Sequence, residues 1–141
     1  MFGKRLGGKG QISLEYLVIF SITFVLLIPL IIIFVTQTQN MQEDITNAQL
    51  DKLSSEIDDA VSEVYYLGPP AQKTIRVTFP SGIQSVDLES YGLVFNVQVT
   101  ETSFEFVKET RVNLTGSLRS FEGPHVIVVK SYGNYVQLTD K

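Results

Sequence analysis

The feature that most constrains this chain is an uncharged apolar stretch near its N-terminus. Residues 16–35 contain no Asp, Glu, Lys or Arg. A helix of about 20 residues is about 30 Å long, which matches the hydrocarbon core of a bilayer. A helix that is apolar on every side has no face for water. The sequence therefore predicts a membrane-spanning helix at residues 11–35.

The charged residues are distributed unevenly around this stretch. Lys4, Arg5 and Lys9 precede it, the next basic residue is Lys52, and all 15 acidic residues lie at or after Glu15. Because basic flanks stay in the cytoplasm, we expect the N-terminus inside and the C-terminal part outside. Without its first ten residues the chain has 8 basic and 15 acidic residues, a formal charge of −7. Such a charge predicts no binding to nucleic acid.

The residue types that most enzymes and metal sites need are scarce. The chain has no cysteine and a single histidine, His125. A thiolate metal site, a cysteine nucleophile and a metal site built from several histidines of one subunit are therefore excluded. Glycine-rich phosphate loops and nucleophile elbows are also absent from the sequence. We expect no enzyme activity, no cofactor and no metal, and a structural role for His125 at the start of a strand.

After the apolar stretch, residues 36–68 have the pattern of an amphipathic helix. Apolar side chains recur at three- and four-residue spacing from Met41 to Leu67. Gly68-Pro69-Pro70 ends the pattern, because proline cannot continue a helix. The sequence predicts one helix from Gln11 to about Leu67.

From Pro70 onward the apolar period changes from about 3.6 residues to two. Strands are predicted at residues 74–79, 83–88, 91–100, 104–108, 110–114, 126–129 and 135–138, with a further short strand at 118–121. The predicted fold class is α+β, in which a long N-terminal transmembrane and amphipathic helix precedes an antiparallel β-sandwich-like head at residues 69–141. We expect core or helix packing for five tyrosines: Tyr65, Tyr66, Tyr91, Tyr132 and Tyr135.

The residues at the start of the apolar stretch form a recognisable motif. Residues 9–17, Lys-Gly-Gln-Ile-Ser-Leu-Glu-Tyr-Leu, resemble the archaeal class III signal peptide, the prepilin leader of a group of archaeal type IV pilins. That family's pattern is Gln, any residue, Ser, any residue, Glu and an apolar run, and Gln11, Ser13 and Glu15 match it. The resemblance implies that residues 1–10 are a leader. It also implies that a membrane aspartyl peptidase cuts between Gly10 and Gln11 and leaves the apolar segment on the mature protein.

Two other kinds of N-terminal segment are alternatives to a prepilin leader. A secretory signal has a shorter apolar region and a small-residue cleavage site, whereas this stretch is followed by Thr-Gln-Thr-Gln-Asn at residues 36–40. An uncleaved signal anchor has the same composition as the observed stretch. Composition alone therefore leaves a signal anchor open as an alternative.

The motif residues Gln11, Ser13 and Glu15 are candidates for a role in assembly, and Pro29 is a candidate for a helix kink. Glu15 lies about one helical turn after Gln11, where an acid is favoured by the helix dipole but needs a partner or the lipid headgroups. The resemblance implies that Glu15 pairs with the Gln11 ammonium of a neighbouring subunit. Pro29 removes one helix hydrogen bond and predicts a kink. In related pilins a proline in this region marks a bend or local melting of the helix within the filament. The alternative is a bend that has no function.

The function that the resemblance implies is structural. The chain would be a subunit of an archaeal type IV pilus-like surface filament, assembled through its N-terminal helix and serving adhesion. Its partners would be its own copies, the prepilin peptidase, an assembly platform and a cytoplasmic ATPase. The precursor would lie in the cytoplasmic membrane and the mature form in a cell-surface filament. The alternative is a signal-anchored monomer with an extracellular β-domain that binds a ligand or partner.

Asn113-Leu114-Thr115 is a candidate N-glycosylation site.

Overall fold

The computed structural model describes residues 8–99 and 101–141, without the side chains of Lys9, Gln11 and Gln39. The predicted leader residues 1–7 lie outside the described part. One helix and seven strands follow in order: α1 (Gly8–Leu67), β1 (Gln72–Phe79), β2 (Ile83–Glu89), β3 (Gly92–Val99), β4 (Thr102–Glu109), β5 (Leu114–Ser117), β6 (Gly123–Ser131) and β7 (Val136–Asp140). The chain forms two compact units, an N-terminal unit ending at Met41 and a C-terminal unit, Gln42–Lys141.

The C-terminal end of α1 follows from local sequence. At its C-terminus Gly68 has φ 72°, and its N–H group donates to the carbonyl oxygens of Val64 and Tyr65 at 3.2 and 3.1 Å. Glycine is the residue that adopts this left-handed conformation without strain, so the predicted end at Leu67 is confirmed. The described part of α1 starts at Gly8, so the helix already includes the three residues before the predicted start at Gln11. Glycine disfavours helix, but extending an existing helix requires no new nucleation.

The strands form two sheets. One has the order β1-β6-β7-β5 and the other the order β2-β3-β4. A long helix followed by two sheets confirms the α+β class. The expectation that every strand pair is antiparallel is wrong for β5 and β7, which are parallel, with Leu114 opposite Val136. Alternation of apolar residues shows which side chains face inward but not in which direction a neighbouring strand runs.

Two predicted strands are absent from their predicted positions in the described part. Residues 110–113 form a bend in which the Thr110 hydroxyl donates to the Val112 carbonyl oxygen at 2.9 Å. The strand at this point, β5, begins only at Leu114. Residues 118–121 are irregular, although Leu118 is buried. Val112 and Leu118 therefore contribute apolar side chains to the core from loops, which produces the same pattern as a short strand.

The core of the C-terminal unit lies between α1 and the inner faces of both sheets. Four α1 residues spaced by three or four positions, Leu53, Ile57, Ala60 and Val64, are almost completely buried. The four-stranded sheet contributes Val77, Phe79, Ile127, Val129, Val136 and Leu138, and the three-stranded sheet contributes Leu93, Phe95 and Val97. Burying one large aliphatic or aromatic side chain stabilises a fold by about 1.5–3 kcal/mol. This shared core therefore holds the two sheets and the second half of α1 together.

Candidate functional site

The N-terminal part of α1 exposes a large apolar surface. Its most apolar 18-residue window has a mean hydropathy of 3.1 and is 0% buried, so the segment is long and apolar enough to cross a membrane. The large apolar side chains between Ile12 and Val35 are 43% to 73% exposed. The largest apolar patch on a soluble monomer covers only about 300–600 Å². This surface therefore requires an apolar environment, either lipid or other protein.

One face of this segment forms a shallow apolar groove. It is lined by Tyr16, Leu17, Phe20 and Phe24, with Ser13 at its N-terminal end. The Phe20 and Phe24 rings lie 5.5 Å apart at 44°, an arrangement that is favourable for aromatic pairs. Because these residues are three or four positions apart, the groove follows one side of the helix. Ser13, one residue of the motif, thus shares a face with large aromatic side chains.

The residues of the predicted processing and assembly motif all belong to α1. Gly10 is exposed, and a side chain added there would meet no described atom within 4 Å. Ser13 and Glu15 are exposed, while the Gln11 side chain lies outside the described part. Glu15 takes part in none of the four ion pairs of the described side chains, which all lie in the C-terminal unit. The structure therefore places Ser13 and Glu15 where a partner molecule can reach them.

The polar groups inside the apolar segment are satisfied within the helix. Ser21 and Thr23 donate to the carbonyl oxygens of Leu17 and Ile19 at 2.7 and 2.8 Å. Thr36 does the same to Ile32 and Ile33. α1 continues through Pro29, which cannot donate to the carbonyl one turn earlier. Internal satisfaction of hydroxyl groups is what a helix in lipid requires.

The C-terminal unit contains a buried histidine–aspartate pair that no local sequence pattern indicates. His125 Nδ1 lies 2.6 Å from Asp140 Oδ2, and His125 Nε2 lies 2.7 Å from the Phe121 carbonyl oxygen. Both ring nitrogens thus face acceptors, an arrangement that the doubly protonated imidazolium satisfies completely. The ring stacks between Phe79 and Phe121 at 4.0 and 4.2 Å, where two aromatic faces stabilise a cation.

Arg119 completes the surroundings of Asp140. Its backbone N–H group donates to Asp140 Oδ2 at 3.2 Å, and its guanidinium lies 3.3 Å from the same oxygen. Burial of Asp140 raises its pKa, but the hydrogen bonds from His125 and Arg119 outweigh burial and lower that pKa below its ordinary value. The predicted structural role of His125 agrees with this burial. Its partner lies 15 residues away in sequence and is adjacent only because β6 and β7 pair.

A second partly buried acid, Asp58, lies on α1 near Lys108 of β4. Its Oδ1 atom is buried without a hydrogen-bond partner among the described atoms. Burial and the neighbouring Asp59 raise the Asp58 pKa, against the opposing charges of Lys108 and Arg111. Lys108 instead donates to Asp51 and Ser55 of α1, both at 3.2 Å. The hydrogen bonds of Lys108 therefore attach α1 to β4, which is an edge strand of the three-stranded sheet.

The remaining predicted site residues lie on the surface of the C-terminal unit. Asn113 is half-buried in the loop before β5, and its backbone carbonyl oxygen accepts a hydrogen bond from Val136 at 2.9 Å. Thr115, the third residue of the sequon, is exposed. The expectation of core or helix packing for five tyrosines is wrong as regards the core, because their exposed fractions run from 37% for Tyr65 to 78% for Tyr66. Tyr132 and Tyr135 instead stack on each other, with centroids 5.2 Å apart.

Within the described residues no group of three or more His, Cys, Asp or Glu side chains is placed to hold a metal ion. No protein-family model, curated protein or solved structure matches this chain. The described part exposes the apolar side chains of α1 between Ile12 and Val35, together with Ser13 and Glu15 of the motif.

Proposed function

We propose that this protein is a structural subunit of an archaeal type IV pilus-like surface filament. In this proposal the precursor is inserted in the cytoplasmic membrane with its N-terminus inside and is cut between Gly10 and Gln11. The mature chain then assembles through residues 11–35 and serves adhesion at the cell surface. The observation that carries the proposal is the exposed apolar segment of α1, which begins at the Gln11, Ser13 and Glu15 motif.

The apolar segment fits two environments in turn. In the precursor, lipid covers the side chains between Ile12 and Val35. In the filament, copies of the same segment cover one another, with grooves such as the one between Phe20 and Phe24 receiving neighbouring side chains. Moving a helix from lipid to protein gains little hydrophobic free energy. Close packing and the pairing of polar groups must therefore favour assembly.

Glu15 supplies such a pairing. Trimming before Gln11 creates an α-ammonium group about one helical turn from Glu15. A carboxylate in an apolar environment is costly alone, and pairing with the ammonium of a neighbouring copy removes much of that cost. The pair would form only when the copies have the correct relative height, so it would set the axial step between subunits.

The second half of α1 and the strands provide the exposed part of the subunit. The inner faces of both sheets share one core with α1, which supports a sandwich-like head. In the proposed filament these heads form the outer surface and carry the adhesive function. The exposed aromatic residues Tyr66 and Tyr132 are candidates for contact with the adhered surface.

Intact mass of the native, membrane-extracted protein tests the proposal. A mature chain that begins at Gln11 supports it, and filaments containing that chain should be visible by electron microscopy. A Gly10→Phe variant should remain untrimmed and fail to form filaments, because the peptidase must admit residue 10. A Gly68→Ala variant, altered outside the motif, should still be trimmed. Native protein that retains residues 1–10 and stays monomeric would instead support the signal-anchored binding protein.

A further inference from the structure

The outward surfaces of the two sheets in the C-terminal unit differ in charge. On the four-stranded sheet, the side chains that alternate with the buried ones carry two charges, Arg76 on β1 and Lys130 on β6. The other outward positions of its four described strands are Thr, Gln, Ser, Pro or Val. Val126 and Val128 lie at the centre, with Val126 opposite Arg76. We call this surface the basic face.

The three-stranded sheet has the opposite character. Its outward positions carry four acids, Asp87, Glu89, Glu105 and Glu109, and no Lys or Arg in the described strands. Val94 and Val107, opposite each other in β3 and β4, lie among these acids. Val107 is 53% exposed, whereas Val94 is buried, at 5% exposed, so Val107 is the apolar side chain that this surface presents to a partner. We call this surface the acidic face.

The charges of both faces remain available for another molecule. The ion pairs of the described side chains use Lys73, Lys108, Arg119 and His125, whose partners are Glu63, Asp51 and Asp140. None of these residues belongs to either face. Lys130 lies above the Tyr132 ring at 5.1 Å, and Asp87 accepts hydrogen bonds from Ser85 and Asn96 at 3.1 and 3.3 Å. These neighbours leave the net charge of each face unchanged.

We propose that the acidic face of one copy docks on the basic face of the next copy. Each face combines a small valine centre with charges of one sign, so the two faces complement each other, whereas two identical faces repel. A contact between two different faces of the same chain does not close on itself in pairs and can repeat along a filament. This inference rests on the proposed filament function and names the contact between heads that would accompany helix packing.

Cysteine cross-linking of the full-length protein tests the contact, because the natural chain has no cysteine. Packed sheets lie about 10 Å apart, so a bismaleimide of that span should join Val107→Cys on one copy to Val128→Cys on the next. The double variant should give a ladder of dimers, trimers and larger species on a denaturing gel. Each single variant should give no ladder, and a mixture of the two single variants should give dimers only.

A matched control moves one thiol off the acidic face. Ser81→Cys with Val128→Cys also places two thiols on each chain, but Ser81 lies exposed in the turn before β2. This pair should give no ladder. Dimers of either face variant alone would mean that like faces meet, and they would overturn the inference.

The outcomes for the contact and for the filament are read separately. Filaments of chains that begin at Gln11 but give no ladder would overturn the contact between faces and leave the proposed function standing. Untrimmed chains without filaments would overturn the proposed function. The absence of a ladder counts against the contact in either case.

Charge reversal gives a second test in the cross-linking background. Arg76→Glu with Lys130→Glu should abolish the ladder, and adding Glu105→Lys with Glu109→Lys should restore it. A ladder that survives the first reversal, or that is not restored by the second, would contradict docking by complementary charge.

Discussion

His125 and Asp140 form a buried pair in which Nδ1 and Oδ2 are 2.6 Å apart and the side chains are 0% and 2% exposed. The pair connects β6 to the end of β7, and its charges are enclosed by two phenylalanine rings and Arg119. Removing one member of such a pair leaves the other charge buried without compensation. The C-terminal unit should therefore be sensitive to the loss of either member of the pair.

Replacing Asp140 tests this dependence. Asp140→Asn should lower the free energy of unfolding by about 3 kcal/mol, because it leaves the imidazolium without a counter-charge. Denaturant unfolding of the full-length chain in detergent, followed by circular dichroism, measures the change. Asp59→Asn alters an exposed acid on α1 and should change the free energy of unfolding by less than about 0.5 kcal/mol. Equal effects of the two substitutions would show that the pair is not special.

The sequence predicts those parts of the fold that depend on local residue patterns, and the contact between His125 and Asp140 is not one of them. The end of α1 at Leu67 and strands β1 to β4 follow from glycine, proline and alternating apolar residues. His125 and Asp140 carry no such signal, because their contact depends on the register of β6 and β7, in which Asp140 lies opposite Ile127. The parallel pairing of β5 and β7 is equally a property of tertiary structure. The motif at Gln11, Ser13 and Glu15 is local and therefore visible in the sequence.

The pH dependence of stability should reflect Asp140. Its pKa is lower in the folded protein than in the unfolded chain, so the carboxylate stabilises the fold above the unfolded pKa of about 3.9. This stabilisation is lost as the pH falls below that value towards the folded pKa. Thermal unfolding between pH 7 and pH 2 should show the loss. Asp140→Asn should have a flatter acid limb, and an unchanged acid limb would assign the loss to other carboxyl groups.

Asp58 should have the opposite effect. Burial and Asp59 raise its pKa, so ionisation destabilises the fold above the folded pKa, and the penalty disappears as the pH falls towards the unfolded value of about 3.9. Asp58→Asn should therefore raise the free energy of unfolding at pH 7, with little change near pH 3. Denaturant unfolding at both pH values provides the measurement. A lower stability at pH 7 would mean that attraction to Lys108 and Arg111 outweighs burial.

Two glycines with similar backbone angles give a matched test of close packing. Gly116 in β5 has φ 120°, and a Cβ atom there would lie 1.9 Å from the Leu138 carbonyl oxygen. Gly123 has φ 118° with no atom within 4 Å of the same position. Gly123→Ala should cost about 1 kcal/mol from backbone strain alone, and Gly116→Ala should cost at least about 1 kcal/mol more. Thermal unfolding compares them, and similar losses would mean that β5 moves away from β7 at little cost.

Substitution of Glu15 tests its proposed role in filament assembly. Glu15→Ala should leave membrane insertion unchanged, because it removes a charge from the edge of an apolar helix. It should reduce the filament yield at least about tenfold if the proposed ion pair contributes about 1.4 kcal/mol per contact. Filaments sheared from cells and quantified by immunoblot against the membrane pool give the ratio. Asp44→Ala, an exposed acid further along α1, should leave the ratio unchanged. Normal assembly of Glu15→Ala would make this carboxylate a bystander.

The strand order of the larger sheet also has a consequence for biosynthesis. β7 lies between β6 and β5 in the sheet. The hydrogen bonds of β5 and β6, which are synthesised earlier, are therefore complete only after residues 136–140 have been made. While the chain emerges from the ribosome, β5 has no neighbour in its sheet, and His125 lacks its acid. The C-terminal unit therefore cannot finish folding before its last strand is made.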